Sequence, residues 1–203
     1  MWRYAPTVSG LSGYPVVAAG RLYVESFSFT GTAMHPSYAG ALEAFDANGV
    51  TGCSGTPTVC RPLWRTAGKT YASQAPPAVA NHTVFVAAFA GPIAAFDANG
   101  SIHCSGTPKK CAPIRRTSTA SGGGTVGAAP ALVVGGNVLY ALAGNGSIVA
   151  FDATGSTDCS SSVCNPLWSS PPESGLSPTI ANGFLYFGGF TGGNWVVVAY
   201  GLP

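Results

Sequence analysis

One short text recurs along the chain, and it constrains the fold more than any other feature. Ala44-Phe45-Asp46-Ala47-Asn48-Gly49 returns as Ala95-Phe96-Asp97-Ala98-Asn99-Gly100 and as Ala150-Phe151-Asp152-Ala153-Thr154-Gly155, with a worn copy at Ala199-Tyr200-Gly201. The copies lie about 50 residues apart, a period that belongs to repeat architectures. A second element precedes each copy, at residues 15–24, 77–86, 131–140 and 178–187, and reads as a strand, a tight turn and a second strand. The turn falls at Gly20, Gly136 and Gly183, where a positive φ is easily supplied. In the second copy His82 stands there after Asn81, and the reading is a tolerated turn residue rather than a functional histidine. A third element follows each copy: Pro62-Leu63-Trp64-Arg65-Thr66, Pro113-Ile114-Arg115-Arg116-Thr117 and Pro166-Leu167-Trp168-Ser169-Ser170. The opening Met1-Trp2-Arg3-Tyr4 aligns with this third element and with nothing else.

Each repeat is therefore four short strands, which predicts an all-β fold, a β-propeller of four four-stranded blades. The blades run over approximately residues 5–66, 67–117, 118–170 and 171–203 plus 1–4, in a single domain spanning 1–203. The last repeat stops after three strands, and the N-terminal strand is expected to complete it. Completion in cis closes one chain and removes open sheet edges. Completion in trans gives an eight-blade dimer if the rotation closes, or a filament if it does not.

The six cysteines fall two per repeat, as Cys53 and Cys60, Cys104 and Cys111, and Cys159 and Cys164. Each pair occupies the same loop between the Phe-Asp strand and the Trp strand, so of the fifteen connectivities open to six cysteines the repeat selects three local disulfides. Zinc would need ligands clustered from two pairs with shorter gaps, and these pairs lie in different blades. A ring this small stabilises its hairpin by about 2.5 kcal/mol on a loop-entropy argument. Such bonds persist in oxidising surroundings, so the chain is expected to be secreted, periplasmic or on a cell surface.

Composition closes off other classes. Charged residues make up 8% of the 203 positions, against roughly 25% in an average domain, which excludes a nucleic-acid binder working through phosphates. The basic group Lys109, Lys110, Arg115 and Arg116 is too small for a polyanion site and reads as a solvated loop. A hydrophobic fraction of 46% excludes disorder, and 28 glycines with 16 prolines fit a chain of many turns. No apolar run approaches the roughly 18 residues that span a bilayer. The N-terminus lacks a signal-peptide core, as expected of a mature chain from which an export signal has been removed.

The residues resemble the PQQ-like (quinoprotein alcohol dehydrogenase-like) β-propeller repeat family over nearly the whole chain. The resemblance is carried by a Pro-x-Val-x-x-Gly-x-Leu-Tyr-Val strand pair, a Gly-x-Leu-x-Ala-Phe-Asp-Ala strand and a closing Leu-Trp. It implies a tryptophan-docking arrangement in which Trp2, Trp64 and Trp168 are inter-blade packing residues, each set against the Ala and Gly of a neighbouring blade. Arg115 stands where the second repeat should carry its Trp, so that contact is either lost or replaced by an Arg stem. The family includes quinone-dependent dehydrogenases and non-catalytic scaffolds, so the fold does not decide the activity. Larger quinoprotein dehydrogenases carry a vicinal Cys-Cys pair and a Glu, Asn and Asp set for calcium. This sequence has no Cys-Cys pair, and three of its seven acidic residues are the repeated Asp46, Asp97 and Asp152, read as turn residues bonding backbone amides. No catalytic, cofactor-binding or metal residue is therefore assigned, and PQQ and calcium enter only through the resemblance.

Other chemistry is sparse. His35, His82 and His103 sit in three different repeat contexts without a neighbouring triad partner. The glycine run Ser121-Gly122-Gly123-Gly124-Thr125 lacks the Lys of a phosphate loop. One segment breaks the repeat, since the connection after Val24 is about ten residues longer than its counterpart in the second repeat. It is a candidate binding loop, with Phe27, Phe29, Met34, His35 and Tyr38 as an aromatic surface for a protein or sugar. The competing reading is that Phe27 and Phe29 extend a strand and pack inward. The leading functional expectation is a secreted, non-catalytic propeller serving as a structural or partner-binding module, self-associating through its terminal strands. The alternatives are a PQQ-dependent oxidoreductase, or a fragment of one, and a glycan-binding propeller.

Overall fold

A computed structural model of the protein describes residues 1–4, 10–32, 35–67, 75–87, 91–118, 131–143, 145–172 and 177–202. The described residues are strands and turns throughout, with no helix among them. The chain divides into two compact units, Met1–Val86 with Ala95–Ile114, and Ala87–Ala94 with Arg115–Pro203.

The strand pairs begin at two-residue turns that the sequence marks. Ala19 and Gly20 have φ of 48° and 72°, Asn81 and His82 of 48° and 58°, and Asn182 and Gly183 of 50° and 76°. Two consecutive left-handed residues match the right-handed twist of the flanking strands, which is why short hairpins favour this turn. His82 is held in it by backbone geometry, and its carbonyl accepts the Ala98 amide at 2.9 Å.

In the first unit a six-stranded sheet has the order Cys104–Ser105, Lys109–Cys111, Trp64–Thr66, His35–Asp46, Arg21–Thr32, Gly10–Ala18. The last four form one blade, closed by Trp64 opposite Ala44 and Arg65 opposite Glu43. The other two are the disulfide hairpin of the following repeat, joined in parallel with Lys109 opposite Trp64 and Cys111 opposite Thr66. The N-terminal strand Trp2–Tyr4 joins Thr58–Cys60 in the same parallel way, with Trp2 opposite Thr58 and Tyr4 opposite Cys60. It thus stands to the first disulfide hairpin as the strand of Trp64 stands to the second.

The second unit repeats this logic. Arg115–Thr117 runs parallel to Val163–Cys164, with Thr117 opposite Cys164. A four-stranded blade follows in the order Leu132–Gly135, Val138–Leu142, Ile148–Asp152, Trp168–Ser169, with Ala150 opposite Trp168. Then comes a three-stranded sheet, Thr179–Ala181, Phe184–Thr191, Asn194–Gly201. The third strands Ile93–Asp97 and Ile148–Asp152 are buried at every position, so both their faces are covered.

The three expected disulfides are present, joining Cys53 to Cys60, Cys104 to Cys111 and Cys159 to Cys164. Each joins residues directly opposite in an antiparallel pair, with Cα atoms 4.0, 4.0 and 3.9 Å apart. Cys60, Cys111 and Cys164 are buried.

The long connection of the first repeat is an extended pair of strands, one of the two readings the sequence leaves open, rather than a loop. Arg21–Thr32 and His35–Asp46 form one continuous antiparallel hairpin, with Phe27 opposite Gly40, Phe29 opposite Tyr38 and Thr32 opposite His35. The extra residues lengthen two strands, because alternating Phe and Ser or Thr suits a β backbone. Met34 lies outside the described residues, and the structure describes no side chains for Phe27, Phe29, His35 and Tyr38.

Candidate functional site

The repeated residues build joints between successive repeats. Trp64 is fully buried, and its Nε1 donates to the Ala98 carbonyl oxygen at 3.1 Å. It lies so close over Gly100 that a Cβ there would fall inside the indole, and it stacks on Phe96 at 6.4 Å. Trp2 covers Gly49 in the same way. At the corresponding place in the second unit, the Arg115 side chain lies over Gly155, and its guanidinium donates to the Ala153 carbonyl oxygen. Arg115 thus supplies an apolar stem over the glycine and a donor to the carbonyl, the two functions that the indole of Trp64 combines.

The Asp of each repeat folds the turn that carries this glycine. Asp46 accepts amides of Asn48 and Thr51 at 3.0 and 2.7 Å, Asp97 those of Asn99 and Ser101 at 3.3 and 2.7 Å, and Asp152 those of Thr154 and Thr157 at 2.7 and 2.6 Å. Backbone donors, Thr51 first, hold Asp46 below the usual carboxylate range. At Asp97 and Asp152 burial opposes the shift, but the amide and hydroxyl donors outweigh it, and both are also lowered. These carboxylates are saturated by their own turns. All six cysteines are in disulfides, and no group of three or more His, Cys, Asp or Glu among the described residues is placed to hold a metal. No chemical step is assigned through calcium or PQQ.

The first repeat buries two carboxylates that its sequence neighbours conceal, on opposite faces of the sheet, since Glu43 stands opposite Val24 and Glu25 opposite Leu42. Glu25 and Glu43 are 1% and 0% exposed. The Tyr4 hydroxyl donates to Glu43, and Arg65 stands opposite Glu43 in the sheet. Burial first, and then Glu43, push Tyr4 well above the usual phenol range. By register Glu43 corresponds to Val149 and Glu25 to Leu142, positions that are apolar in the third repeat. Aligning the repeats position by position would have exposed both acids. Glu43 ties the N-terminal strand to the first blade, and Tyr4 also packs edge-on against Phe45 with ring centroids 4.3 Å apart.

The last blade is where the arrangement changes. Its final strand, Asn194–Gly201, is exposed or half-buried at every position. Phe190 stands opposite Trp195, Gly188 opposite Val197 and Tyr186 opposite Ala199, so these residues share one sheet face. Trp195 is 69% and Val197 77% exposed, with Phe184 and Phe190 also exposed. The opposite face is covered, with Phe187 stacked on Tyr200 at 5.8 Å. Trp168 meets this covered side: it packs edge-on against Tyr200 at 5.1 Å, remains 39% exposed, and borders an apolar cavity of about 440 Å³. This uncovered aromatic face is the candidate functional surface, and the sequence reading did not single it out. Its signal was the alternation in Trp195, Val197 and Ala199, which shows that one face is shared without showing whether anything covers it.

The blades, joints and repeated turns define a β-propeller of quinoprotein type. The family profile described as outer membrane protein assembly factor BamB matches residues 1–194, and the chain belongs to that family. No curated protein sequence matches it. Among solved structures, the computationally designed Ika4 protein aligns with a TM-score of 0.59 at 10% identity, over 98% of this chain and 97% of that one. BamB from Moraxella catarrhalis aligns at 0.53 with 19% identity, over 92% of this chain and 49% of its own, so this chain spans about half of that protein. A europium-containing methanol dehydrogenase aligns at 0.44 with 19% identity, over 79% of this chain and 25% of that one.

Proposed function

We propose that the protein is a non-catalytic β-propeller that works as a partner-binding scaffold in an oxidising compartment, whether secreted, periplasmic or at a cell surface. The observation that carries this reading is the uncovered face of the last blade, with Trp195 and Val197 exposed on an ordered sheet. Exposed aromatic and aliphatic side chains held on a rigid sheet are what protein interfaces use, because little side-chain freedom is lost on binding. The family's description as an outer membrane protein assembly factor supports a role through contacts rather than chemistry. The repeat Asp residues and the cysteines are absorbed by turns and disulfides, which leaves the described part of the scaffold without a reactive set. The three disulfides support the oxidising compartment, and no described helix is long and apolar enough to cross a membrane.

Two measurements test the reading. Acrylamide quenching of Trp195, isolated by difference against Trp195→Phe in dilute protein, is expected to show an accessible indole; a shielded one overturns the surface. Titration with PQQ and calcium, followed by absorbance and by dye reduction with an alcohol, is expected to give neither a complex nor turnover. Stoichiometric binding with turnover would establish the oxidoreductase instead.

A further inference from the structure

We propose that a groove between the first and second disulfide hairpins binds an acidic peptide segment of a partner protein, with Arg61 and Lys109 on its two walls taking the carboxylates. The inference rests on the partner-binding reading and adds a contact surface in the first unit, built without any residue of the last blade.

The groove opens where a parallel ladder starts. The second hairpin joins the strand of Trp64 with Lys109 opposite Trp64. Ahead of that pair the two segments part. On one side the Leu63 amide donates to the Ala44 carbonyl oxygen at 2.7 Å, and the Arg61 amide to the Gly52 carbonyl oxygen at 2.9 Å. On the other, Pro108 belongs to the turn of the second hairpin, whose strands pair Ser105 with Lys110 and Cys104 with Cys111. Between them lies an open cavity of about 620 Å³, within the range of clefts that take small ligands or a short stretch of chain. These main-chain bonds and a disulfide in each hairpin fix its walls before any ligand arrives, so little freedom is lost on binding.

The lining selects the occupant. Pro62, Leu63 and Pro108 give an apolar floor, Arg61 and Lys109 are exposed cations, and none of the described lining residues is acidic. The Asp46 carboxylate, which accepts the amide of Thr51 beside the groove at 2.7 Å, is occupied by its own turn. Lys109 is anchored by a bond from Nζ to the Gly100 carbonyl oxygen at 3.0 Å, which leaves two of its three donors for a ligand. Both charges are particular to this junction. Arg61 corresponds to Ala112 and Asn165 in the later repeats, and Lys109 to Thr58 and Ser162 in the other two hairpins, all uncharged. The chain has nine basic residues, so two of them on one groove set a local positive field that few other charges offset. The described lining has no aromatic ring on which a sugar would stack, and its prolines have no amide to offer. An extended peptide with aliphatic and carboxylate side chains matches both the floor and the walls.

The test uses the whole chain and a short dye-labelled peptide of Glu, Leu and Ser, followed by fluorescence anisotropy. The peptide is expected to bind at least about tenfold more tightly than its Gln counterpart, and more weakly as salt rises. Arg61→Glu combined with Lys109→Glu should reverse the preference, so that a Lys counterpart binds better than the Glu peptide, with circular dichroism unchanged. Arg61→Gln alone, the milder change, should weaken the Glu peptide at least about threefold. Arg116→Glu, at an exposed cation outside the groove, should leave its affinity as it is. Equal binding of the Glu and Gln peptides overturns the recognition, and a preference unaltered by the Arg61 and Lys109 variants overturns the groove. An equal loss with Arg116→Glu also overturns the groove, in favour of a diffuse field. Displacement by inorganic phosphate at the peptide's own concentration overturns the peptide as occupant. Acrylamide quenching of Trp195 in the same samples keeps this inference apart from the last-blade surface. An accessible Trp195 without charge-dependent binding overturns the groove alone, and a shielded Trp195 with such binding overturns the last-blade surface alone.

Discussion

Trp64 and Trp168 occupy the same place in the repeat and have different surroundings. Trp64 has a glycine beneath it, a carbonyl to bond and a following disulfide hairpin in parallel beside its strand, and it is wholly buried. Trp168 faces a last copy that reads Ala199-Tyr200-Gly201-Leu202-Pro203, without the Asp that folds the glycine turn. It leans on Tyr200 and stays partly exposed beside a cavity. The difference teaches that the tryptophan does not make the joint alone; the Asp turn of the next repeat must present the glycine and the carbonyl.

The comparison yields predictions that can break it. Trp64→Ala should cost about 4 kcal/mol in denaturant unfolding, and Trp168→Ala about 1 kcal/mol, because only the first empties a filled site; equal losses would show that the joints do not differ. Gly100→Ala should cost about 3 kcal/mol, since a Cβ both meets Trp64 and strains a residue at φ 65°, whereas Ala at Gly183, φ 76° with open space around it, meets only the strain and should cost about 1 kcal/mol. Asp152→Ala should cost about 2 kcal/mol by leaving the turn amides without their charged acceptor. The repeat carboxylates have lowered folded values, so their stabilisation is complete above about pH 4 and is lost as pH falls below it. Unfolding followed against pH should show that acid decline, flattened in the Asp152→Ala variant. Smallest is Arg115→Trp, which restores the indole over Gly155 and is expected to stabilise by up to about 1 kcal/mol; a loss would mean that the Arg stem and its bond to Ala153 are the better fit.

What the sequence showed and what it hid follow from the same physics. Repetition exposed the blades, the disulfides and the likeness of Trp2 to Trp64, because a local pattern copied several times overrides the ambiguity of any one copy. The connection after Val24 left a binding loop and an extended strand equally open, because an added length of chain with alternating Phe27 and Phe29 suits either, and the strands continue through it. Nothing in the sequence singled out Glu25 and Glu43 as buried, since a carboxylate alone in a text does not announce a partner such as the Tyr4 hydroxyl, which reaches Glu43 from far along the chain. Nor did the sequence show that Trp195 and Val197 are exposed. Hydrophobic alternation assigns residues to a face, and whether that face is covered depends on what lies beyond it.

The parallel pairing between each Trp strand and the next disulfide hairpin has a consequence for how such a chain can change over generations. Main-chain hydrogen bonds hold the two strands together whatever side chains they bear, so the join survives substitutions that would empty a tightly interlocked core. Arg115 stands at that place without a tryptophan, and the pairing beside it, Arg116 to Val163 and Thr117 to Cys164, is kept. Duplicated copies joined in this way are free to drift apart in sequence while the ladder between them keeps its place.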